Sequence, residues 1–358
     1  MLCYVFTTGQ CNLKCGYCGG SFAQETVPYE VTYDVDDLAL FLDGAKDLSI
    51  TFYGGEPLLN PSWVKKVMDN VDADHFAIQT NGLLLDKLER DYWLRIDTVL
   101  LSIDGDKTVT DYYRGRGVYD TIIGSASKLR SMGFEGDLVA RMTVSRISDI
   151  YRDVRHLLST GLFDHIHWQL DAIWGSEWRG FDQWLNRAYK PGLGSLMREW
   201  VDKAALGDVT GIVPFKSIAL ALLNKQRLGA PPCGAGWGSL SINTNGEVLA
   251  CPIAVDVSWA RLGSIRSSSY EDLLGKTTIG EPCTNCSYYS LCGGRCLYAH
   301  HERLWGMDGF NALCRTTIDM IELLKGFMPL IEDKVRSGAL KIAQIEYPPY
   351  LNSVEIIP

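Results

Sequence analysis

The chain has 358 residues, 46% hydrophobic and 22% charged, enough to bury a sizeable core and to build one large domain with a smaller one. A formal charge of −9 lacks the basic footprint that nucleic acid or an anionic membrane attracts, which leaves a small molecule or a peptide as the expected partner. No export signal opens the sequence and no stretch approaches 18 uninterrupted apolar residues, so a cytoplasmic protein is expected, its eleven cysteines reduced and free for metals.

From Leu2 to about Asp171 short apolar runs alternate with amphipathic stretches at the period of α/β units. Strands are predicted at Cys3–Thr8, Leu48–Tyr53, His75–Thr80, Thr98–Ile103, Leu138–Val144 and His165–Leu170. Helices are predicted at Asp34–Lys46, Pro61–Val71, Leu84–Arg95, Tyr119–Met132 and Ile150–Leu158, several opening on Asp, Asn or Ser. Six such units predict an α/β fold, an open partial (β/α)6 barrel of the TIM type over residues 1–175, with its chemistry at the carboxyl ends of the strands. A polar, Trp-rich bridge over 176–232, with a short helix at Phe215–Arg227, leads to Pro231 and Pro232. Residues 233–315 carry seven cysteines and read as a small domain of their own. Residues 316–358 read as a C-terminal helix, Thr316–Val335, and an extended tail that packs back.

Cys11, Cys15 and Cys18 follow the first strand with spacing CxxxCxxC, which gathers three thiolates in one loop beside Tyr17. Three ligands on a four-iron cluster leave one iron open to a chelating substrate. A zinc knuckle is the plainer alternative, but structural zinc wants four closed ligands and no fourth Cys or His follows nearby. The chain resembles the radical SAM (S-adenosylmethionine) superfamily on these cysteines and on Tyr53-Gly54-Gly55-Glu56-Pro57 after the second strand. Gln79-Thr80-Asn81-Gly82 and Ser102-Ile103-Asp104-Gly105, ending the third and fourth strands, continue the likeness. The resemblance implies a 4Fe-4S cluster that binds SAM, with Gly54 and Gly55 letting the backbone come close, Pro57 closing the turn and Glu56 meeting the ammonium group. It further implies Ser102 and Asp104 near the ribose, Arg141 on the carboxylate and Gln169 at the adenine.

The second array runs Cys233, Gly246, Cys251, then Cys283-x2-Cys286-x5-Cys292-x3-Cys296, then Cys314. It resembles the SPASM domain, a C-terminal extension of radical SAM enzymes that mature peptides, sulfatases and quinone-cofactor precursors; Arg261-Leu262-Gly263-Ser264-Ile265 resembles that domain's turn. The resemblance implies two auxiliary iron-sulfur clusters, one on Cys283, Cys286, Cys292 and Cys314, and one on Cys233, Cys251 and Cys296. No further cysteine lies between Leu222 and Ala230 to complete the latter, which leaves a non-cysteine ligand, a smaller cluster or an open iron. Two structural zinc sites are the plainer alternative. Cys3 is expected to be a buried structural thiol.

By the same resemblance a 5'-deoxyadenosyl radical would abstract hydrogen from a peptide or small protein, and the auxiliary clusters would take up the electron left behind, closing a thioether or carbon-carbon crosslink. Asp256, after Cys251, is the candidate base. A low-potential donor such as ferredoxin or flavodoxin would feed the first cluster. The run Cys292-Gly293-Gly294-Arg295-Cys296-Leu297-Tyr298 and the tail resemble an archaeal subfamily of peptide-modifying enzymes. With Cys11 so near the start, a leader-binding domain is not expected ahead of the barrel, so the bridge, the SPASM surface or a separate leader-peptide-binding protein would grip the peptide. Formylglycine formation, as in sulfatase maturation, and a non-catalytic iron-sulfur scaffold are the alternatives.

Overall fold

In the computed structural model, which describes residues 1–171, 178, 180–225, 229–303 and 305–347, strict alternation along the strands decides what each face meets. Cys3 and Val5 of β1 (Leu2–Thr8) point into the helix-covered core, and so do Ile50 and Phe52 of β2 (Ser49–Gly54), after α1 (Val35–Leu42). The pattern repeats through α2 (Pro61–Asn70), β3 (His75–Thr80), the short α3 (Arg90–Trp93) and β4 (Thr98–Ser102). It continues through α4 (Lys107–Arg114), α5 (Val118–Ser131), β5 (Asp137–Val144), α6 (Ile150–Ser159) and β6 (His165–Leu170). All six predicted strands form, in the parallel order β6-β5-β4-β3-β2-β1.

The opposite face lines the lumen of this unclosed barrel, and it is polar. Ala77, Leu100 and Val139 make one small apolar plug across it. Around them the hydroxyls of Ser49, Thr51 and Thr98 and both ring nitrogens of fully buried His167 have no protein partner. Burial, with Arg141 beside it, holds the His167 pKa far below the usual histidine range, so the ring is neutral.

Parts of this reading needed correction. Leu84–Arg95 is not one helix but a 3-10 turn, Leu85–Lys87, and α3, with extended backbone at Leu88 and Glu89 between them; fully buried Trp93 donates from Nε1 to Leu85 O at 3.1 Å across the break. α4 was not anticipated. Asp106 caps it by accepting from Val109 N at 3.0 Å. The bridge is largely helical: α7 (Phe181–Trp184) passes through a π-helical turn into α8 (Lys190–Ala204), and α9 (Val213–Leu223) follows.

The sheet does not stop with the barrel. β7 (Ser239–Ile242) pairs parallel with β1, and β8 (Glu247–Leu249) and β9 (Arg261–Ser264) add antiparallel, giving nine strands in one sheet. Gly246 turns β7 into β8 with φ +84°, which explains a glycine at that place. The short helices α10 (Tyr270–Leu273), α11 (Tyr289–Cys292) and α12 (Leu297–Glu302) follow, then α13 (Gly306–Ser337), which begins well ahead of the predicted Thr316 and packs on α8 and α9. Tyr347 donates to Asp137 Oδ2 at 3.0 Å; the tail beyond it lies outside the described residues. No helix among the described residues is long and apolar enough to cross a membrane.

Candidate active site

At the carboxyl ends of the strands the barrel opens into a cavity of about 260 Å³, lined by the three cysteines of the first loop, by Glu56, Ser102, Arg141 and Gln169, and by Cys233 and Cys251 from beyond β6. The first loop is a tight turn: Cys18 N and Gly19 N both donate to Cys15 O, at 3.2 and 3.1 Å. The turn brings Cys15 and Cys18 into hydrogen-bond contact. The bond from Cys15 draws the Cys18 thiol down to about 6, while Cys15 itself is pushed up, so Cys18 is the first of the pair to become a thiolate. Leu13 N also donates to Cys11 Sγ at 3.5 Å.

α4 clamps this loop from outside. Gly16 N donates to Tyr113 O at 2.8 Å, and Tyr17 Oη donates to Asp104 Oδ2 at 2.8 Å. Arg114 grips the same carboxylate with both arms at 2.8 Å, and Thr143 N adds a bond to Asp104 Oδ1 at 2.9 Å. The guanidinium lies 5.5 Å from the centre of the Tyr17 ring. Asp104 is fully buried, with both oxygens taken. The expected ribose contact at Asp104 is therefore corrected: it anchors the cysteine loop from below. Tyr17 turns its ring to the cavity and its hydroxyl to that anchor.

The glycines of the second motif are required by backbone, in addition to any ligand. A Cβ on Gly54, at φ +136°, would stand 2.3 Å from Thr8 O, and one on Gly55 would stand 2.1 Å from Gln10 O. Gly55 N and Glu56 N hydrogen-bond to those two carbonyls, so the turn is laced to the start of the cysteine loop. Glu56 is 1% exposed and accepts from Leu58 N at 3.0 Å, Thr80 Oγ1 at 2.7 Å and Asn81 N at 2.8 Å. Burial pushes its carboxyl up against these three bonds, which favour the anion. Pro57 lies buried under the turn, off the cavity wall.

Past β6 two thiol groups gather. Cys233 and Cys251 face the cavity, and buried Cys296 caps α12, its sulfur accepting from Ala299 N at 3.4 Å. Cys283, Cys286, Cys292 and Cys314, the last near the start of α13, lie off the cavity and within electrostatic reach of one another; burial first and then these neighbours push Cys283 up to about 11. Among the described residues no three His, Cys, Asp or Glu side chains are drawn tightly enough round one point to hold a single ion. Thiol-only donors in sets of three and four suit polynuclear iron-sulfur clusters.

Over residues 5–157 the sequence matches the radical SAM superfamily. The barrel is a radical SAM domain. Such a domain uses S-adenosylmethionine and a 4Fe-4S cluster, and the cavity with its three-cysteine loop fits both. The chain is 23% identical over 331 residues to the mycofactocin maturase MftC of Mycobacterium tuberculosis, covering 86% of this chain and 81% of the relative. It is 26% identical to the subtilosin biosynthesis protein AlbA of Bacillus subtilis, covering 80% of this chain and 65% of that one. The solved structure of anSMEcpe with bound AdoMet and Cp18Cys peptide has the same fold, at TM-score 0.67 and 17% identity over 93% of this chain and 99% of that one.

Two further placements bear on the chemistry of the radical SAM domain. Asp256 is exposed at the turn after Cys251 and does not line the cavity, so its position does not suit the expected base. Asp171, one residue past the end of β6, does line it. Its Oδ2 accepts from Ser145 Oγ at 2.8 Å, its Oδ1 has no partner among the described residues, and burial pushes the carboxyl up to about 6. Sequence reasoning passed over Asp171 and Arg114. The strand-end rule applied to Gln169-Leu170-Asp171 would have found the first, and the Asp106 cap with Val109, Thr110 and Tyr113 at helical spacing the second. Cys3 is fully buried, its thiol pushed up to about 12, as a structural cysteine should be.

Proposed function

We propose that this chain is a radical SAM enzyme that oxidatively modifies a peptide and carries three iron-sulfur clusters. Cys11, Cys15 and Cys18 hold the SAM-binding cluster; Cys233, Cys251 and Cys296 hold an inner auxiliary cluster; Cys283, Cys286, Cys292 and Cys314 hold an outer one. The observation that carries this reading is that cysteines of the first loop and of the inner auxiliary set open on one cavity. A substrate lodged there would lie within reach of both cysteine sets, the first of which would hold the group that abstracts hydrogen and the second one that accepts an electron.

When bound, SAM and its cluster supply a 5'-deoxyadenosyl radical that takes a hydrogen atom from carbon. The chain's own part is positional. Asp104, Arg114 and Tyr17 hold the cysteine loop in place, Gly54 and Gly55 bring the turn against it, and Glu56, Ser102, Arg141 and Gln169 meet the cofactor. Tyr4 and Tyr53, with ring centroids 5.9 Å apart, wall the cavity against water. The maturase and bacteriocin-biosynthesis names of MftC and AlbA support a peptide as substrate. A ferredoxin-like or flavodoxin-like donor, a separate leader-binding protein and a cytoplasmic setting complete the proposal.

The test is anaerobic purification and reconstitution, then SAM and dithionite. About twelve irons per chain and 5'-deoxyadenosine that vanishes in Cys15→Ala support it; zinc in place of iron, or intact SAM, overturns it. With candidate peptides, a loss of two hydrogens marks a crosslink, whereas loss of sulfur from a cysteine marks formylglycine.

A further inference from the structure

The outer thiol set is surrounded by groups that favour added electrons. His300, on α12, is buried, and its ring is fixed by both nitrogens: Nε2 lies 3.1 Å from Gly280 N, and Nδ1 lies 3.7 Å from Cys283 Sγ. Gly280 N can only donate, so Nε2 accepts and the ring proton sits on Nδ1, aimed at the sulfur. Gly294 N adds a second N–H toward this set, 3.4 Å from Cys292 Sγ.

Arg295 stands between Cys292 and Cys296 at φ +60°, a backbone that suits glycine, yet it carries a long cationic side chain. That side chain is buried, its Nη2 has no hydrogen-bond partner among the described residues, and its charge bears on Cys292, Cys314 and Tyr189. A strained, buried and partly unbonded guanidinium does little for folding. Its charge reaches Cys292 and Cys314 of the outer set, where it would offset the negative charge of ligating thiolates.

We propose that His300 and Arg295 are positioning residues for the outer auxiliary cluster and raise its reduction potential, so that electrons arriving at the cavity-facing site move outward. N–H bonds to cluster sulfurs and nearby cations both stabilise the reduced form. The inference rests on the cluster assignment above.

The experiment is an EPR-monitored redox titration of the reconstituted full chain, with iron counted in every sample. His300→Phe and Arg295→Gly are each expected to lower the midpoint of one cluster by about 59 mV, a tenfold shift in the one-electron equilibrium. His300→Asn, which keeps a donor near the Nδ1 position, and Arg295→Lys, which keeps the charge, restore most of it. Arg295→Gly also relieves the backbone, so its thermal stability holds or rises while the potential falls, an outcome a purely structural arginine would not give. Full iron with unchanged midpoints in both variants overturns the inference and leaves the cluster assignment standing. A wild-type chain without iron overturns both.

Discussion

The barrel and the cysteine-rich region share one sheet but are held together by different means. The barrel buries continuous rows of Val, Ile, Leu and Trp between strands and helices. Beyond β6 the separate core is small, and Cys251, Cys283 and Cys296 belong to it beside alanines, one Ile, one Leu, one Tyr and one Phe. Its helices α10 to α12 are four to six residues long, too short to stand alone. The lesson is that one part of the molecule is shaped by hydrophobic burial, while the other, on the proposed cluster assignment, depends on bridged thiols.

Removing iron puts the largest strain on that contrast. Chelation is expected to cost residues 233–303 on the order of 5 kcal/mol of hydrogen-exchange protection while β1 to β6 keep theirs; equal loss in both regions would erase the distinction. Arg114→Met, which leaves Asp104 charged and buried, should cost the barrel about 3–5 kcal/mol in denaturant unfolding and abolish 5'-deoxyadenosine formation. Gly55→Ala, with its Cβ forced onto Gln10 O, should cost about 2 kcal/mol and slow SAM cleavage without loss of outer-cluster iron.

Asp171 gives a pH signature at the junction of the two regions. Its carboxyl titrates at about 6 in the fold against 3.8 as the ordinary value, so the folded chain binds more protons between those values. Stability from this group therefore falls as pH rises from about 4 to 6 and then levels off. Asp171→Asn removes that slope and should gain about 1–2 kcal/mol above pH 6, read as thermal melts across pH. The smallest effect tests the seam itself. Arg266 reaches from beyond β9 to Asp37 of α1 and to Thr32 O, and Arg266→Ala should cost under about 1 kcal/mol.

Much of this was legible in the sequence because the signals were local. Each of the six barrel strands keeps its period-two alternation within a few residues, and the cysteine loop and the Gly54-Gly55-Glu56 turn carry their meaning in short spacings. The rest depended on partners far away. β7 cannot be read from Ser239-Leu240-Ser241-Ile242 alone, because its ladder is with β1 at the other end of the chain. α8 was obscured by Pro191, Gly192 and Gly194 in its first turns; the proline sits where the helix leaves the π-helical turn, a local irregularity that accommodates its missing N–H. Asp104 was found as a residue and misplaced as a contact, since Asp-Gly names a turn without saying that Arg114 waits beneath it.

Cys314 is the last of the eleven cysteines to be made, and it arrives on α13, the helix that also covers α8 and α9. Synthesis runs from the N-terminus, so the barrel strands and three of the outer thiols are in the chain before the fourth is added. Completion of the outer thiol set and coverage of that flank thus both wait on α13. A released chain ending before residue 306 would keep every barrel strand with that flank bare and the outer set one thiol short.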